Sequence, residues 1–529
     1  LLDDLGSELA GVIHAAAELW SDAPAPNEEE SDELAAAQLA AAEARLARSI
    51  AEGALPLYHL APLWGAEDGP LELWLWTHGA ATAEGDNPEQ ALLAEQALVA
   101  SMGLALAAEY PRLAATQVDA ARADDLLAEL ETGPSDQPIA YAPHRHQRRL
   151  VPYAPQAPRA PVIRAGGVYL ISGGLGDMGL ALAAGLADQG AGALILVGRS
   201  GQASDPRALA ALEARVTVWA VAGDVADADF VRDLLAQIGQ RHGALHGVIH
   251  AAGVLNDRLL CRQTPADIAA ILRPKTLGAL VLDRLTRRLE LDFFLGCSSV
   301  AALAGAAGQA SYAGACAYLD RTLVARARTG ARALAVNWGP WSGAKSASAT
   351  GYRRMMDDHG TRDIPREHGF AAMRLALSTD ATQLAIVNLA PSARLATGRR
   401  EHLPIPIAAE NSAIRAELQS MAPRLNALQI QLDRLAASYV ANWLASFELF
   451  SVAGEQHTLE SITQRTGVIA KLLPAAAQAQ SSDLFEVRDV PVDVTAKSAA
   501  EARDQAVVQG QRKAWDMLIG RLVSSEDAA

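Results

Sequence analysis

Val168-Tyr169-Leu170-Ile171-Ser172-Gly173-Gly174-Leu175-Gly176-Asp177-Met178-Gly179 joins a short apolar run to four closely spaced glycines. A helix-forming segment, 180–189, follows directly. An apolar strand, a glycine turn and a helix in that order open a parallel α/β sheet. In such a turn Gly173, Gly174, Gly176 and Gly179 let the backbone approach a pyrophosphate lying on the helix N-terminus. There the free N–H groups and the helix dipole favour negative charge. Asp177 and Met178 fall inside the same turn.

Downstream, residues 194–197, 217–221, 247–250, 293–296 and 333–337 read as further strands separated by helical lengths. Residues 166–397 are therefore expected to form an α/β, Rossmann-like parallel sheet with helices on both faces. The ends of its strands carry the other candidate cofactor residues. Twenty residues after Gly179 stands Arg199, followed by Ser200. An acid there would bind the ribose diol of NAD, whereas arginine and serine suit a 2′-phosphate, so the expected cofactor is NADPH. Asp224 and Val225 follow the third strand, where the adenine would lie. His250-Ala251-Ala252-Gly253 follows the fourth and places small residues where backbone must pass close to a cofactor.

The whole chain has 529 residues, enough for three to four units at roughly 150 residues each. With 45 basic and 61 acidic residues its formal charge is −16, which speaks against a general nucleic-acid binder. The acidity is local. Residues 1–165 hold 9 basic and 26 acidic residues, whereas 166–397 hold 23 and 19. The expected nucleotide-binding part is thus mildly basic, as a phosphate-rich ligand requires. Three cysteines (Cys261, Cys297, Cys316) without a Cys-x-x-Cys pair imply neither a disulfide scaffold nor a zinc ribbon. A reducing, cytoplasmic setting and no metal are expected. The 27 residues 293–319 carry no charge, but their Ala, Gly, Ser and Gln content points to a buried core around a site, not to a membrane span. No secretory signal opens the chain, and its first residue, Leu1, suggests a segment of something longer.

Residues 1–158 mix helix signals at 34–52 and 90–108 with a strand signal at 71–76, around an acidic linker at 21–33. A basic, proline-rich stretch at 143–161 reads as a joint. At the other end, 412–473 has helical apolar spacing, and 483–529 offers one strand and one helix.

Ser299 and Tyr312 stand thirteen residues apart, and Lys275 lies twenty-four before Ser299. Reducing a carbonyl with hydride requires an acid for the developing alkoxide. A tyrosine serves if a nearby cation lowers its pKa from about 10, and a serine hydroxyl can hold the oxygen in line. Each residue also has a plain structural role open to it: surface charge, helix cap, core aromatic. The run Phe294-Leu295-Gly296-Cys297-Ser298-Ser299, together with Gly308-Gln309-Ala310-Ser311-Tyr312-Ala313 and Asn337-Trp338-Gly339-Pro340-Trp341, resembles the ketoreductase domain of modular polyketide synthases. That family belongs to the short-chain dehydrogenase/reductase superfamily. Trp74-Leu75-Trp76-Thr77-His78-Gly79-Ala80 and Glu109-Tyr110-Pro111 resemble the family's truncated, Rossmann-like structural subdomain, which would span 1–158.

The resemblance implies that Lys275, Ser299 and Tyr312 are the catalytic lysine, serine and tyrosine. It implies as substrate a β-ketoacyl thioester on the phosphopantetheine arm of an acyl carrier protein, with other polyketide synthase domains as partners and neither nucleic acid nor membrane. It departs at Cys316, where the family usually has asparagine, and a thiol is a weak hydrogen-bond partner. Asp177 likewise replaces a common glycine. The family's subtype giving D-configured hydroxyls carries a Leu-Asp-Asp-like motif, here Leu255-Asn256-Asp257, and the opposite subtype carries tryptophan where Ala304 stands. A D-configured product is expected, with Asp257, Ala304, Pro340 and Trp341 on the substrate side. Asp257 could otherwise cap the helix that follows it. Residues 425–473 resemble the helical entry of a methyltransferase domain, with a linker helix pair as the alternative. The tail resembles the start of an uncharacterised bacterial periplasmic family. The expected activity is NADPH-dependent reduction to the β-hydroxyacyl thioester. The rival is a redox-silent scaffold domain, and Cys316 is the residue that favours it.

Overall fold

The structure is a computed structural model that describes residues 11–15, 32–64, 71–81, 92–135, 137–141, 144–148, 150, 153, 163–342 and 361–389. The segments expected at 412–473 and 483–529 lie outside them. In the N-terminal part, Gly11–Ala15 (β1), Leu71–Thr77 (β2), Leu113–Asp119 (β3), Ile139–Tyr141 (β4) and Arg145–Gln147 (β5) form one sheet in that spatial order. Its first four strands are parallel and β5 runs antiparallel to β4. Leu71, Leu73, Trp74, Leu75 and Trp76 are all buried, as expected of a strand covered on both faces.

The strand β3 was not foreseen, because Leu-Ala-Ala-Thr-Gln-Val-Asp has little β-branched or aromatic content. Its polar residues are buried but bonded. Thr77 Oγ1 donates to Asp119 Oδ1 at 2.7 Å, and the Ala80 and Ala81 amides donate to the same carboxylate. Within the stretch read as a joint, β5 instead closes a sheet edge. Arg145 there grips Glu129 with two bonds of 2.5 and 3.0 Å. Four helices, Asp32–Ser49 (α1), Leu55–Trp64 (α2), Ala94–Glu109 (α3) and Ala123–Thr132 (α4), accompany this sheet.

The larger sheet is wholly parallel. Its strands are Val168–Ser172 (β6), Ala193–Gly198 (β7), Thr217–Ala222 (β8), Gly247–His250 (β9), Phe293–Ser299 (β10) and Ala333–Trp338 (β11). After the short antiparallel pair Thr361–Arg362 (β12) and Asn388–Leu389 (β14), Gln383–Ile386 (β13) completes it. The order is β13-β11-β10-β9-β6-β7-β8. The chain winds one way from β6 through β7 to β8, then crosses to β9 and winds the other way. A ligand crevice is expected at that reversal, outside the carboxyl ends of β6 and β9.

Successive strand residues feed two different cores. Leu170, Ile195, Val248 and Phe294 face one, while Ile171, Leu194, Leu196 and Leu295 face the other. Asp177–Asp188 (α5) and Pro206–Glu213 (α6) follow β6 and β7. Ala228–His242 (α7), Pro265–Lys275 (α8), Leu277–Thr286 (α9), Ala301–Ala304 (α10), Ala310–Arg328 (α11) and Arg366–Leu377 (α12) are the further α-helices among the described residues. The charge-free stretch 293–319 is thus β10, α10 and the first half of α11. Among the described residues no helix is long and apolar enough to cross a membrane.

The two parts share the first core, because α3 lies along α11. A Cβ on Gly314 of α11 would come within 2.5 Å of Met102 Cγ and 2.9 Å of the Leu98 carbonyl on α3. Only glycine permits that approach. At its far end α11 is tied to α9 by Arg326, buried, whose Nη1 reaches Asp283 Oδ1 at 3.1 Å and Thr286 Oγ1 at 3.2 Å.

Candidate active site

The glycine turn between β6 and α5 is packed to contact. Gly173 has φ +68°, and a Cβ on it would lie 2.7 Å from the backbone of both Ala251 and Ala252. A Cβ on Gly179 would stand 2.2 Å from the Gly173 carbonyl oxygen. Gly176 caps α5 without a side chain, which leaves the N–H groups of the first helical turn to an incoming ligand. Asp177 is the first residue of α5, in helical backbone that any residue adopts, so its replacement of glycine needs no special conformation. Its Oδ1 accepts from Ser204 Oγ at 2.7 Å. Met178 and Gly174 pack between the turn and the core.

Arg199 and Ser200 stand exposed just past β7, and Arg199 has no partner among the described residues. Asp224 is committed elsewhere: Arg273 Nε of α8 donates to its Oδ2 at 3.0 Å. Val225 is buried beside it. His250 is fully buried, with Nδ1 2.6 Å from Ser172 Oγ. Burial, and then the positive charge of Lys275, lower its pKa to about 3, so it stays neutral. A Cβ on Gly253 would lie 3.0 Å from Lys275 Cε, so glycine there makes room for the lysine stem. A glycine cradle, a helix N-terminus and an exposed arginine at the end of β7 fit a phosphorylated dinucleotide.

Lys275 ends α8, directly after Pro274, and is only 3% exposed. Its Nζ donates to the Cys297 carbonyl at 2.5 Å and sits 5.8 Å from the centroid of the Tyr312 ring. Tyr312 lies in the first turn of α11, half-buried. Ser299 ends β10, and its Oγ accepts from the Ala301 amide at 3.2 Å, so its own proton can be donated outward. Cys316 is fully buried one turn beyond Tyr312, its thiol against the Tyr312 and Ser298 hydroxyls. Burial pushes that thiol up to about 11, so it remains protonated.

Behind Cys316 lies a buried polar cluster that the sequence did not announce. Asn337 Nδ2 donates to Asp320 Oδ2 at 2.7 Å, to Ser298 Oγ at 3.1 Å and to the Ser299 carbonyl at 3.0 Å. Gln383 Nε2 adds bonds to Asp320 and Asn337. Burial pushes Asp320 up to about 6. The available signal was Asp320 itself, one turn after Cys316 on the otherwise apolar face of α11.

Asp257 does not cap the helix that follows, since Thr264 and Asp267 cap α8 reciprocally. Instead Gln309, which precedes α11, donates to Asp257 Oδ1 at 3.1 Å, and burial raises the Asp257 pKa. Ala304 is exposed at the end of α10. Pro340 is buried, and Trp341, 4% exposed, packs edge-on against Trp338 at 5.1 Å, so its ring belongs to the core. Among the described residues no group of His, Cys, Asp or Glu is arranged to hold a metal ion.

Residues 167–343 match the family model described as "KR domain". A phenolphthiocerol/phthiocerol polyketide synthase protein of Mycobacterium tuberculosis (strain CDC 1551 / Oshkosh) is 37% identical over 284 residues, covering 51% of this chain and 15% of that protein. Another component of that synthase, from strain ATCC 25618 / H37Rv, is 32% identical over 406 residues, 69% of this chain and 21% of its own length. The chain therefore spans about a fifth or less of these relatives. Among solved structures, PlmKR1, a ketoreductase from the first module of phoslactomycin biosynthesis in Streptomyces sp. HK803, superposes with TM-score 0.55 at 26% identity. That match covers 76% of this chain and 87% of PlmKR1. An A1-type ketoreductase gives TM-score 0.57 at 27% identity over 72% and 88%.

Proposed function

We propose, from the premise that residues 167–343 are a ketoreductase domain of the polyketide synthase kind, that this chain reduces a β-ketoacyl thioester to the β-hydroxyacyl thioester. NADPH is the cofactor in this proposal, and bound in the crevice it supplies the hydride. The residues to hold it are the glycine turn and the N-terminus of α5 for the pyrophosphate, with Arg199 and Ser200 for the 2′-phosphate. Asp224 and Val225 border the adenine side, and His250-Ala251-Ala252-Gly253 the floor. Tyr312 delivers the proton to the substrate oxygen. The Lys275 ammonium beside the ring favours the tyrosinate that this transfer leaves. Ser299 holds the same oxygen with its hydroxyl.

Lys275 carries the proposal. A buried ammonium costs free energy unless it has a task or a partner, and here it is held by the Cys297 carbonyl next to the Tyr312 ring. The substrate rides on the phosphopantetheine arm of an acyl carrier protein, in a cytoplasmic assembly with other polyketide synthase domains. Residues 166–397 do the chemistry and 1–158 support them. Asp257, bonded through Gln309 to the start of the Tyr312 helix, favours the D-configured alcohol.

The second reading, a redox-silent scaffold, is favoured by Cys316, which offers a thiol where a stronger hydrogen-bonding group would order the lysine. The discriminating assay is NADPH consumption with a β-ketoacyl thioester mimic, with Tyr312→Phe as control. Consumption by the wild type alone supports reduction. Equal inertness of both proteins, with cofactor bound, supports the scaffold.

A further inference from the structure

Tyr312 stands two residues past the start of α11, so whatever sets that start sets the position of the hydroxyl. The N-cap residue, Gln309, makes no capping bond of its own, and Gly308 before it turns with φ +78°. The missing acceptor comes from the N-terminal part. Glu109, the last residue of α3, accepts from the Gly308 amide through Oε1 at 3.1 Å and from the Leu260 amide through Oε2 at 2.8 Å. The Ala310 amide, first in α11, also points to this carboxylate. The Gly308 carbonyl in turn accepts from the Arg258 amide at 2.9 Å. One carboxylate therefore joins α3, the loop that carries Asp257, and the first turn of the Tyr312 helix.

We propose that Glu109 is a positioning residue for the reduction: from outside the catalytic half it caps the Tyr312 helix and holds the Asp257 loop against it. The proposal rests on the catalytic role of Tyr312 given above. Helix N-terminal amides lack partners within the helix, and an anionic acceptor there is favoured by the dipole. Among the described residues no cation is paired with Glu109. Burial raises its pKa to about 7, and its titratable neighbours are Tyr110 on the same turn and Cys261, bonded to Tyr110. A carboxylate retained in that setting is held for the amides it accepts from, not for an ion pair.

The test uses the full chain with Glu109→Ala and Glu109→Gln, the second keeping shape and one acceptor. Glu109→Ala should lower kcat on a β-ketoacyl thioester mimic by about tenfold or more, because small misplacements of a catalytic group are costly. NADPH affinity should stay within about twofold, since the cofactor cradle is untouched. The alcohol should lose configurational purity, and Glu109→Gln should fall between the two proteins. Amide exchange at Leu260 and Gly308 should quicken in both variants, and this readout needs no turnover. Wild-type kcat and wild-type amide protection in Glu109→Ala overturn the proposal. If that variant does not fold, wild-type values in Glu109→Gln do so instead. An inactive wild type with protected Leu260 and Gly308 amides would remove the reductase reading and leave the clamp standing.

Discussion

The ammonium of Lys275 lies 5.8 Å from the centre of the Tyr312 ring, and the same nitrogen is anchored to the Cys297 carbonyl at 2.5 Å. The lysine thus has one fixed position, set by a strand end, and the tyrosine meets it from a separate helix. Lys275→Met keeps the length and removes the charge. Turnover should drop by about 100-fold or more, as removal of a group that tunes an acid does. Steady-state kinetics on the folded variant check this, and near-normal kcat would contradict the role.

Gly173→Ala should abolish cofactor binding. The new Cβ meets the Ala251 and Ala252 backbone at 2.7 Å and φ is +68°, so strain of about 1–3 kcal/mol is expected beside the lost cradle. Titration with NADPH, with a melting curve alongside, separates the two effects.

Arg199→Asp should weaken NADPH by about tenfold or more and leave NADH little changed, because a charge-assisted contact to a 2′-phosphate is replaced by repulsion. Equal effects on both cofactors would remove Arg199 from the phosphate site.

Cys316→Asn should raise turnover without altering NADPH affinity. The new amide would meet the Tyr312 and Ser298 hydroxyls now facing the thiol. It also enters a tight pocket of Ala80, Ala97, Ala302 and Ala317, so a stability loss of about 1 kcal/mol is expected. A folded variant with lower turnover would refute this account of the position.

The contribution of Glu109 and Asp320 to stability should fall as pH rises from about 4 to 7. Glu109 is raised to about 7 and Asp320 to about 6, both by burial. An acid whose pKa is raised on folding binds its proton more tightly in the native state. Its contribution is therefore complete below the unfolded pKa and is lost as pH passes the folded value. Each group contributes of order 1–3 kcal/mol across that window. Glu109→Gln should flatten the dependence of Tm on pH, and an unchanged slope would show that Glu109 does not titrate there.

What could be read from residues alone was local. The glycine turn and the strands around it are carried by neighbours in sequence, and the structure forms β6, β7, β9, β10 and β11 where apolar runs predicted them; Lys275, Ser299 and Tyr312 stand on three separate elements and were legible as a set through the family resemblance. The strand β3 was hidden because its polar residues Gln117 and Asp119 are satisfied by Thr77 of β2, contacts that no short window contains. Glu109 was visible as part of a motif but not as a clamp, since its partners Leu260 and Gly308 lie 151 and 199 residues away. The Ser298, Asp320 and Asn337 cluster was missed for the same reason: three elements must pack before it exists.

The most direct measurement follows the hydride itself. The protein is supplied with NADPH deuterated at the transferring position and with a β-ketoacyl thioester mimic. One deuterium should appear on the β-carbon of a D-configured alcohol in the wild type, with almost none in Tyr312→Phe. A wild-type protein that binds the cofactor but leaves the β-carbon unlabelled would contradict the account.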